Sequence, residues 1–113
     1  MKILYVENHP YFGKIVKDKF LSEFHVTIVP SIKSATEAVN QSSFDIALVD
    51  YDLDDGKGDE FIAYLIRAGI DLPCIAVSSH ENGNSALVKA GAVSVCSKMH
   101  FSKIASVVGK INV

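Results

Sequence analysis

Glu7, Asn8, Asp50, Asp52, Ser78 and Lys98 are the residues of this chain that could do chemistry together. Glu7 and Asn8 close the apolar run Ile3-Leu4-Tyr5-Val6, and Asp50 closes Ile46-Ala47-Leu48-Val49. Ser78 closes Cys74-Ile75-Ala76-Val77, and Lys98 follows Val93-Ser94-Val95-Cys96-Ser97. If these runs lie side by side, their carboxylates crowd one another. Crowded carboxylates raise each other's pKa unless a cation is near. Lys98 offsets one charge. A divalent cation held by Glu7, Asn8, Asp50 and Asp52 would offset the rest, and all-oxygen ligands suit Mg²⁺ or Mn²⁺ better than Zn²⁺. Phosphoryl transfer needs in-line placement and charge neutralisation more than it needs acid–base groups. In that chemistry Asp50 is the nucleophile, Lys98 holds one phosphoryl oxygen and the Ser78 hydroxyl bonds another.

The elements that must position these residues alternate. Lys2 to Val6 reads as a strand, and Pro10 suits the first turn of a helix carrying Phe12, Ile15, Val16 and Phe20 on one stripe. His25 to Val29 is β-branched and reads as a second strand, broken by Pro30-Ser31. Ile32, Ala35 and Val39 mark a second helix, ended by Ser42-Ser43, and Phe44 to Val49 is a third strand. Phe61, Ile62 and Leu65 mark a third helix with Gly69 as its stop. Pro73 opens a fourth strand, Cys74 to Val77. Asn82 to Ser85 start a fourth helix, closed by Gly91, and Val93 to Cys96 is the fifth strand. Ile104, Val107, Val108 and Ile111 fit a last helix, weakened by Gly109.

Continuous βαβ alternation demands a mostly parallel sheet with helices on both faces, an α/β doubly wound fold. With strand order 2-1-3-4-5, strands 1 and 3 flank the switch point where such sheets bind ligands. Glu7, Asn8 and Asp50 then share one crevice, and Ser78 and Lys98 end strands on the same edge.

Composition narrows the classes. The chain of 113 residues suffices for one domain, 1–113, and is too short for two. Its 49% hydrophobic and 21% charged residues exclude a disordered chain. A net charge of −2 with scattered basic residues argues against direct nucleic-acid binding. No apolar run reaches the roughly 20 residues needed to span a bilayer. Only six residues precede the first acid, too few for a secretory signal. Cys74 and Cys96 both fall in apolar runs and read as buried thiols in a reducing, cytoplasmic setting.

Taken in order, these pieces resemble a response-regulator receiver domain of two-component signalling, over nearly the whole length. Ile3 to Pro10 resembles the end of the family's first strand, where an acidic pair is often followed by His-Pro. Leu48-Val49-Asp50 resembles the phosphoacceptor strand, and Gly58, eight residues on, the glycine that begins the third helix. Pro73 to Ser78 resembles the strand ending in a switch Ser or Thr, with Ser79 as the alternative that spacing from Pro73 disfavours, and Ala90-Gly91-Ala92 through Lys98 the segment leading to the lysine. The resemblance implies a flavodoxin-like (βα)5 fold. It implies that a histidine kinase or histidine phosphotransfer protein donates a phosphoryl group to Asp50 with Mg²⁺, in a phosphorelay rather than as a turnover enzyme. Ser78 and Lys98 then engage the aspartyl phosphate. The face of the fourth helix, fifth strand and fifth helix changes its downstream protein partner, or pairs with a second copy as a homodimer.

Four positions depart from the family pattern. Asn8 replaces the second acid, and Asp52 could restore that charge. Val95 stands where an aromatic switch residue is common, Met99 follows Lys98 where proline is usual, and Asp54 replaces a frequent proline.

Two other readings compete. A degenerate receiver would work by binding alone. Asp50-Tyr51-Asp52 also has the Asp-x-Asp form of haloacid-dehalogenase-like phosphatases, with Asp52 as general acid. That motif belongs on a first strand with far more chain after it. Asp54, Asp55 and Asp59 read as solvated loop acids, Asp59 assisting a helix start, and His9 and His80 as plain loop histidines.

Overall fold

The computed structural model describes residues 1–111; residues 112–113, the end of the expected domain, lie outside the described residues. The chain runs β1 (Lys2–Val6), α1 (Pro10–Phe20), β2 (His25–Val29), α2 (Ile32–Gln41), β3 (Ile46–Val49), β4 (Asp52–Leu53), β5 (Gly56–Lys57), α3 (Gly58–Ala68), β6 (Cys74–Ala76), α4 (Glu81–Ala90), β7 (Ser94–Val95) and α5 (Ile104–Gly109). A 3₁₀ segment, Lys98–Lys103, leads into α5. Five parallel strands form one sheet in the order β2-β1-β3-β6-β7. Without the small β4–β5 hairpin, this is the expected order 2-1-3-4-5.

Strand alternation builds two cores. Leu4, Val6, Ala47, Val49, Cys74 and Ala76 face one way, against Ala35 of α2, Phe61, Ile62 and Leu65 of α3 and Leu87 of α4. Ile3, Tyr5, Ile46, Leu48 and Ile75 face the other way, against Val16 of α1 and Ile104 and Val108 of α5. With both faces covered, β1 and β3 are near-continuous apolar runs. Polarity can enter only where a strand ends.

Helix ends follow local chemistry. Pro10 opens α1, where its missing N–H has no partner to lose. The Ser31 hydroxyl accepts from the Ser34 N–H at 3.0 Å, so the break after β2 is a capping box. Gly69 ends α3 in the left-handed region at φ 70°.

Three features differ from the sequence expectation. The fifth strand is two residues, Ser94–Val95, not four. Its ladder bonds to β6 are continued by the flanking N–H groups of Val93, to Cys74, and Cys96, to Ala76. The chain after Lys98 turns as 3₁₀ helix because the Ser97 hydroxyl accepts from the Met99 N–H at 3.2 Å. The acidic loop forms the antiparallel hairpin β4–β5, with Asp52 opposite Lys57 and Leu53 opposite Gly56.

The hairpin also gives Asp55, an exposed loop acid as expected, a capping role. Its carboxylate accepts from the Ile32 N–H at 2.7 Å and the Lys33 N–H at 3.0 Å, capping α2 from 23 and 22 residues away. The Ile32 amide holds the Asp55 carboxyl below its usual range, with the Lys33 amide adding to it. Asp55→Ala should cost about 1 kcal/mol in urea unfolding at pH 7, like other lost caps. Because the folded pKa is depressed, the contribution is present above the unfolded value of 3.8 and is lost as pH falls through the folded one. An equal cost at pH 7 and pH 2 would contradict this assignment.

Candidate functional site

The register of the sheet brings the strand ends together. Val6 pairs with Val49 across β1 and β3, so Glu7 and Asp50 emerge side by side, and the Asp50 N–H donates to the Val6 carbonyl at 3.0 Å. Val49 pairs with Ala76, and the Val77 N–H donates to the Val49 carbonyl at 3.1 Å, which sets Ser78 on the same edge. The Lys98 N–H donates to the Ser78 carbonyl at 3.3 Å. Glu7, Asp50, Ser78 and Lys98 therefore converge as the sequence expected.

Lys98 is the electrostatic centre. Its Nζ lies 2.5 Å from Glu7 Oε1 and 2.7 Å from Asp50 Oδ2. Its charge also lies 5.1 Å from the centre of the Phe12 ring, in cation–π range. Glu7 is fully buried and Asp50 nearly so. Two carboxylates thus share one ammonium in a partly dry site. Burial pushes the Asp50 carboxyl above its ordinary range. Lys98 pulls it back, Glu7 raises it further, and the Tyr51 N–H, at 2.8 Å from Asp50 Oδ1, lowers it.

Glu7 is held from both sides. The Tyr5 hydroxyl donates to Oε1 at 3.2 Å, while Oε2 accepts from the His9 N–H at 3.0 Å and lies 3.1 Å from His9 Nδ1. Burial, with Glu7 beside it, raises the Tyr5 phenol well above its usual range, so it stays a donor. The sequence reading took Tyr5 as core and His9 as loop. Strand periodicity was the available signal for Tyr5: residues 5 and 7 share a face.

Ser78 is fixed through its backbone. Asn84, a buried residue on α4, accepts from the Ser78 N–H at 2.8 Å and donates to the Ser78 carbonyl at 2.9 Å. The Ser78 hydroxyl accepts from the His80 N–H at 3.1 Å. Asn84 was missed because its partner is not periodic with it; a polar residue on the inner stripe of an otherwise small-residue helix was the clue.

Two glycines let neighbouring backbone reach the site. A Cβ on Gly83 would stand 2.7 Å from Ser78 Oγ and 3.0 Å from Tyr51 Cβ. A Cβ on Gly58 would overlap the Asp50 carbonyl oxygen and stand 2.9 Å from Val49 Cγ1. The Gly58 N–H also donates to the Tyr51 carbonyl at 2.6 Å. Gly58→Ala must therefore move backbone beside Asp50. It should cost about 1–3 kcal/mol in chemical denaturation, the range for overpacking. Gly69→Ala lacks any such clash, although its left-handed φ adds strain, and serves as comparison.

Asp52 does not join the cluster. It sits opposite Lys57 in the hairpin, and its carboxylate pairs with the Lys57 ammonium, with the Asp52 side chain 58% exposed. The donors that do gather are Glu7, His9 and Asp50, each offering a ligand atom within 4.8 Å of the others. The Asn8 amide oxygen is buried and accepts no hydrogen bond. A buried oxygen acceptor without a donor, on the residue that follows Glu7, fits a divalent cation.

Val95 and Met99 lie exposed, at 42% and 74%. The aromatic contact with the site comes instead from Phe12, which stacks on Phe101 at 6.1 Å, and Phe101 meets Tyr5 edge to face at 6.3 Å.

The fold recurs in solved structures. The receiver domain of Francisella response regulator 1452 matches with 19% identity over 96% of this chain and 93% of its own, TM-score 0.84. Response regulator TrrA of Thermotoga maritima, solved in complex with Mg²⁺ and BeF, matches with 18% identity over 96% of both chains, TM-score 0.85. The receiver domain of a sensor histidine kinase of Pseudomonas aeruginosa, with a magnesium ion coordinated in its active-site cleft, matches with 22% identity over 96% of this chain and 94% of its own, TM-score 0.84. At these identities the likeness shows the fold. No curated protein matches the chain in sequence. The family model for the response regulator receiver domain matches residues 3–108. The chain therefore belongs to the response regulator receiver domain family.

Proposed function

We propose that residues 1–113 work as one receiver domain in the cytoplasm, accepting a phosphoryl group on Asp50. The observation that carries this is Asp50 itself: a nearly buried carboxylate at a parallel strand end, bonded to Lys98 and to the Tyr51 N–H, with Ser78 ending the next strand. The donor is a phosphohistidine of a histidine kinase or phosphotransfer protein. An Asp50 carboxylate oxygen forms the new P–O bond, the P–N bond breaks, and the imidazole leaves with the electron pair. Lys98 holds a phosphoryl oxygen and the Ser78 hydroxyl donates to another. Glu7, Asn8 and Asp50 would hold Mg²⁺ or Mn²⁺, which supplies charge neutralisation when bound. Asp50 carries the phosphoryl group until slow hydrolysis by water releases phosphate and returns the carboxylate, so the chain serves as an acceptor in a relay rather than as a turnover enzyme.

The output surface is the face of α4, β7 and α5. A groove of about 600 Å³ runs along the α4, β7 and 3₁₀ part of it, lined by Asn84, Val88, Val95, Ser97 and Met99 among others. It begins at Asn84, the residue that clamps Ser78, so a movement of Ser78 reaches the groove in one contact. A downstream protein, or a second copy, would dock here.

The test is incubation with acetyl phosphate and Mg²⁺, read by intact mass. A single phosphoryl adduct is expected, and none in Asp50→Asn. An adduct that survives the substitution would place the acceptor elsewhere. No adduct in either protein, with partner binding unchanged by beryllofluoride, would make this a binding-only receiver.

A further inference from the structure

The imidazole of His9 stands at the mouth of the site without a role in phosphoryl transfer. We propose that His9 is a nitrogen ligand in the cation site, and that this site prefers an imidazole-accepting first-row dication, such as Co²⁺ or Zn²⁺, over Mg²⁺. This rests on the reading of the cluster as the cation site of a phosphoacceptor.

The donor set is mixed. Glu7, His9 and Asp50 can each place a ligand atom within 4.8 Å of the other two. Metal–ligand bonds of about 2.0–2.2 Å put opposite ligand atoms about 4.4 Å apart at most, so the cluster closes on an ion with small side-chain shifts. His9 can make that shift, because its side chain is 69% exposed while Glu7 is fully enclosed. Its Nδ1 already meets Glu7 Oε2 at 3.1 Å. A cation there would take the Nδ1 lone pair of the neutral ring, whose one proton then sits on Nε2. The Asn8 amide oxygen, buried and without a hydrogen-bond donor on the residue between Glu7 and His9, would offer a neutral oxygen.

The balance of donors sets the preference. Mg²⁺ depends on hard, charged oxygens, and Asn8 offers it no charge. An imidazole adds little for Mg²⁺ but much for Co²⁺, Ni²⁺ or Zn²⁺. Any dication must displace the Lys98 ammonium from between Glu7 and Asp50. That cost is common to every dication and weakens all of them, so the preference rests on the nitrogen ligand alone.

The experiment is calorimetric titration of the full chain, its His9→Gln variant and a His80→Gln control with Mg²⁺ and with Co²⁺, with imidazole proton resonances followed in parallel. Co²⁺ should bind the unsubstituted protein at least a hundredfold more tightly than Mg²⁺. His9→Gln should weaken Co²⁺ at least tenfold while moving Mg²⁺ less than twofold. His80→Gln should change neither, and the His9 ring resonances should show the paramagnetic shift. Equal effects of His9→Gln on both cations, or no effect on either, would overturn the proposal. If Mg²⁺ still supports phosphorylation of Asp50 in that case, the receiver reading stands without the nitrogen ligand. If neither cation binds, both fail.

Discussion

Asp50→Asn should melt at a higher temperature than the unsubstituted protein at pH 7, while taking up no phosphoryl group. Three charges meet at the site: Glu7 and Asp50 against Lys98, with Lys98 within 2.7 Å of both. One carboxylate is in excess, in a place where burial is the main force on Asp50 and raises its pKa. A raised carboxyl pKa means the fold binds this proton more readily than the unfolded chain does. Stability therefore falls as pH rises from the unfolded value of 3.8 through the folded one, and the penalty is fully present above it. Asparagine keeps the shape, leaves one ion pair of Glu7 with Lys98, and removes the penalty. The expected gain is about 1–2 kcal/mol, or a rise on the order of 5–10 °C in Tm. The gain should shrink as pH is lowered through the raised folded pKa, where the native carboxyl takes up its proton. A variant less stable than the parent at pH 7 would mean the Lys98 pair outweighs desolvation. The acceptor would then be a stabilising residue rather than one held at a cost to the fold.

This balance was visible in the sequence only in outline. Apolar runs ending on Glu7, Asp50 and Ser78 were legible because strands covered on both faces permit polarity only at their ends. Alternation gave the parallel sheet covered on both faces, and the receiver-like resemblance gave its strand order, 2-1-3-4-5. What stayed hidden depends on contacts between distant segments. Asp52 looked like a replacement for the charge missing at Asn8, and the two-residue hairpin turned it to Lys57 instead. So short a hairpin has no periodicity to read. Asp55 looked solvated because α2, the helix it caps, starts 23 residues earlier. His9 looked like a loop residue because its proximity to Glu7 is set by the turn into α1. Val95 stands where an aromatic is common; Phe12 of α1 places a ring beside Lys98 instead, and Phe101 of the 3₁₀ segment stacks behind it.

The same contacts make Lys98 the residue whose loss should damage the fold most. Lys98→Met preserves a long apolar stem over the Phe12 ring and removes only the ammonium. Glu7, fully buried, and Asp50, nearly buried, then face each other without a counter-ion. Removing one member of a buried ionic group costs about 3–5 kcal/mol, far more than the pair contributes against apolar substitutes, because the remaining charge is left uncompensated. A loss of that order at pH 7 is expected by urea denaturation. It should be relieved in two ways. Acidification should recover part of it as Asp50 takes up a proton. Adding Asp50→Asn should recover more, so the double variant should be at least 2 kcal/mol more stable than the sum of the two single effects predicts. Divalent cation should also stabilise Lys98→Met more than the parent, since no ammonium competes for the carboxylates. Additive single effects, with no cation dependence, would show that Lys98 is held by its aromatic contact and that the two carboxylates do not share its charge.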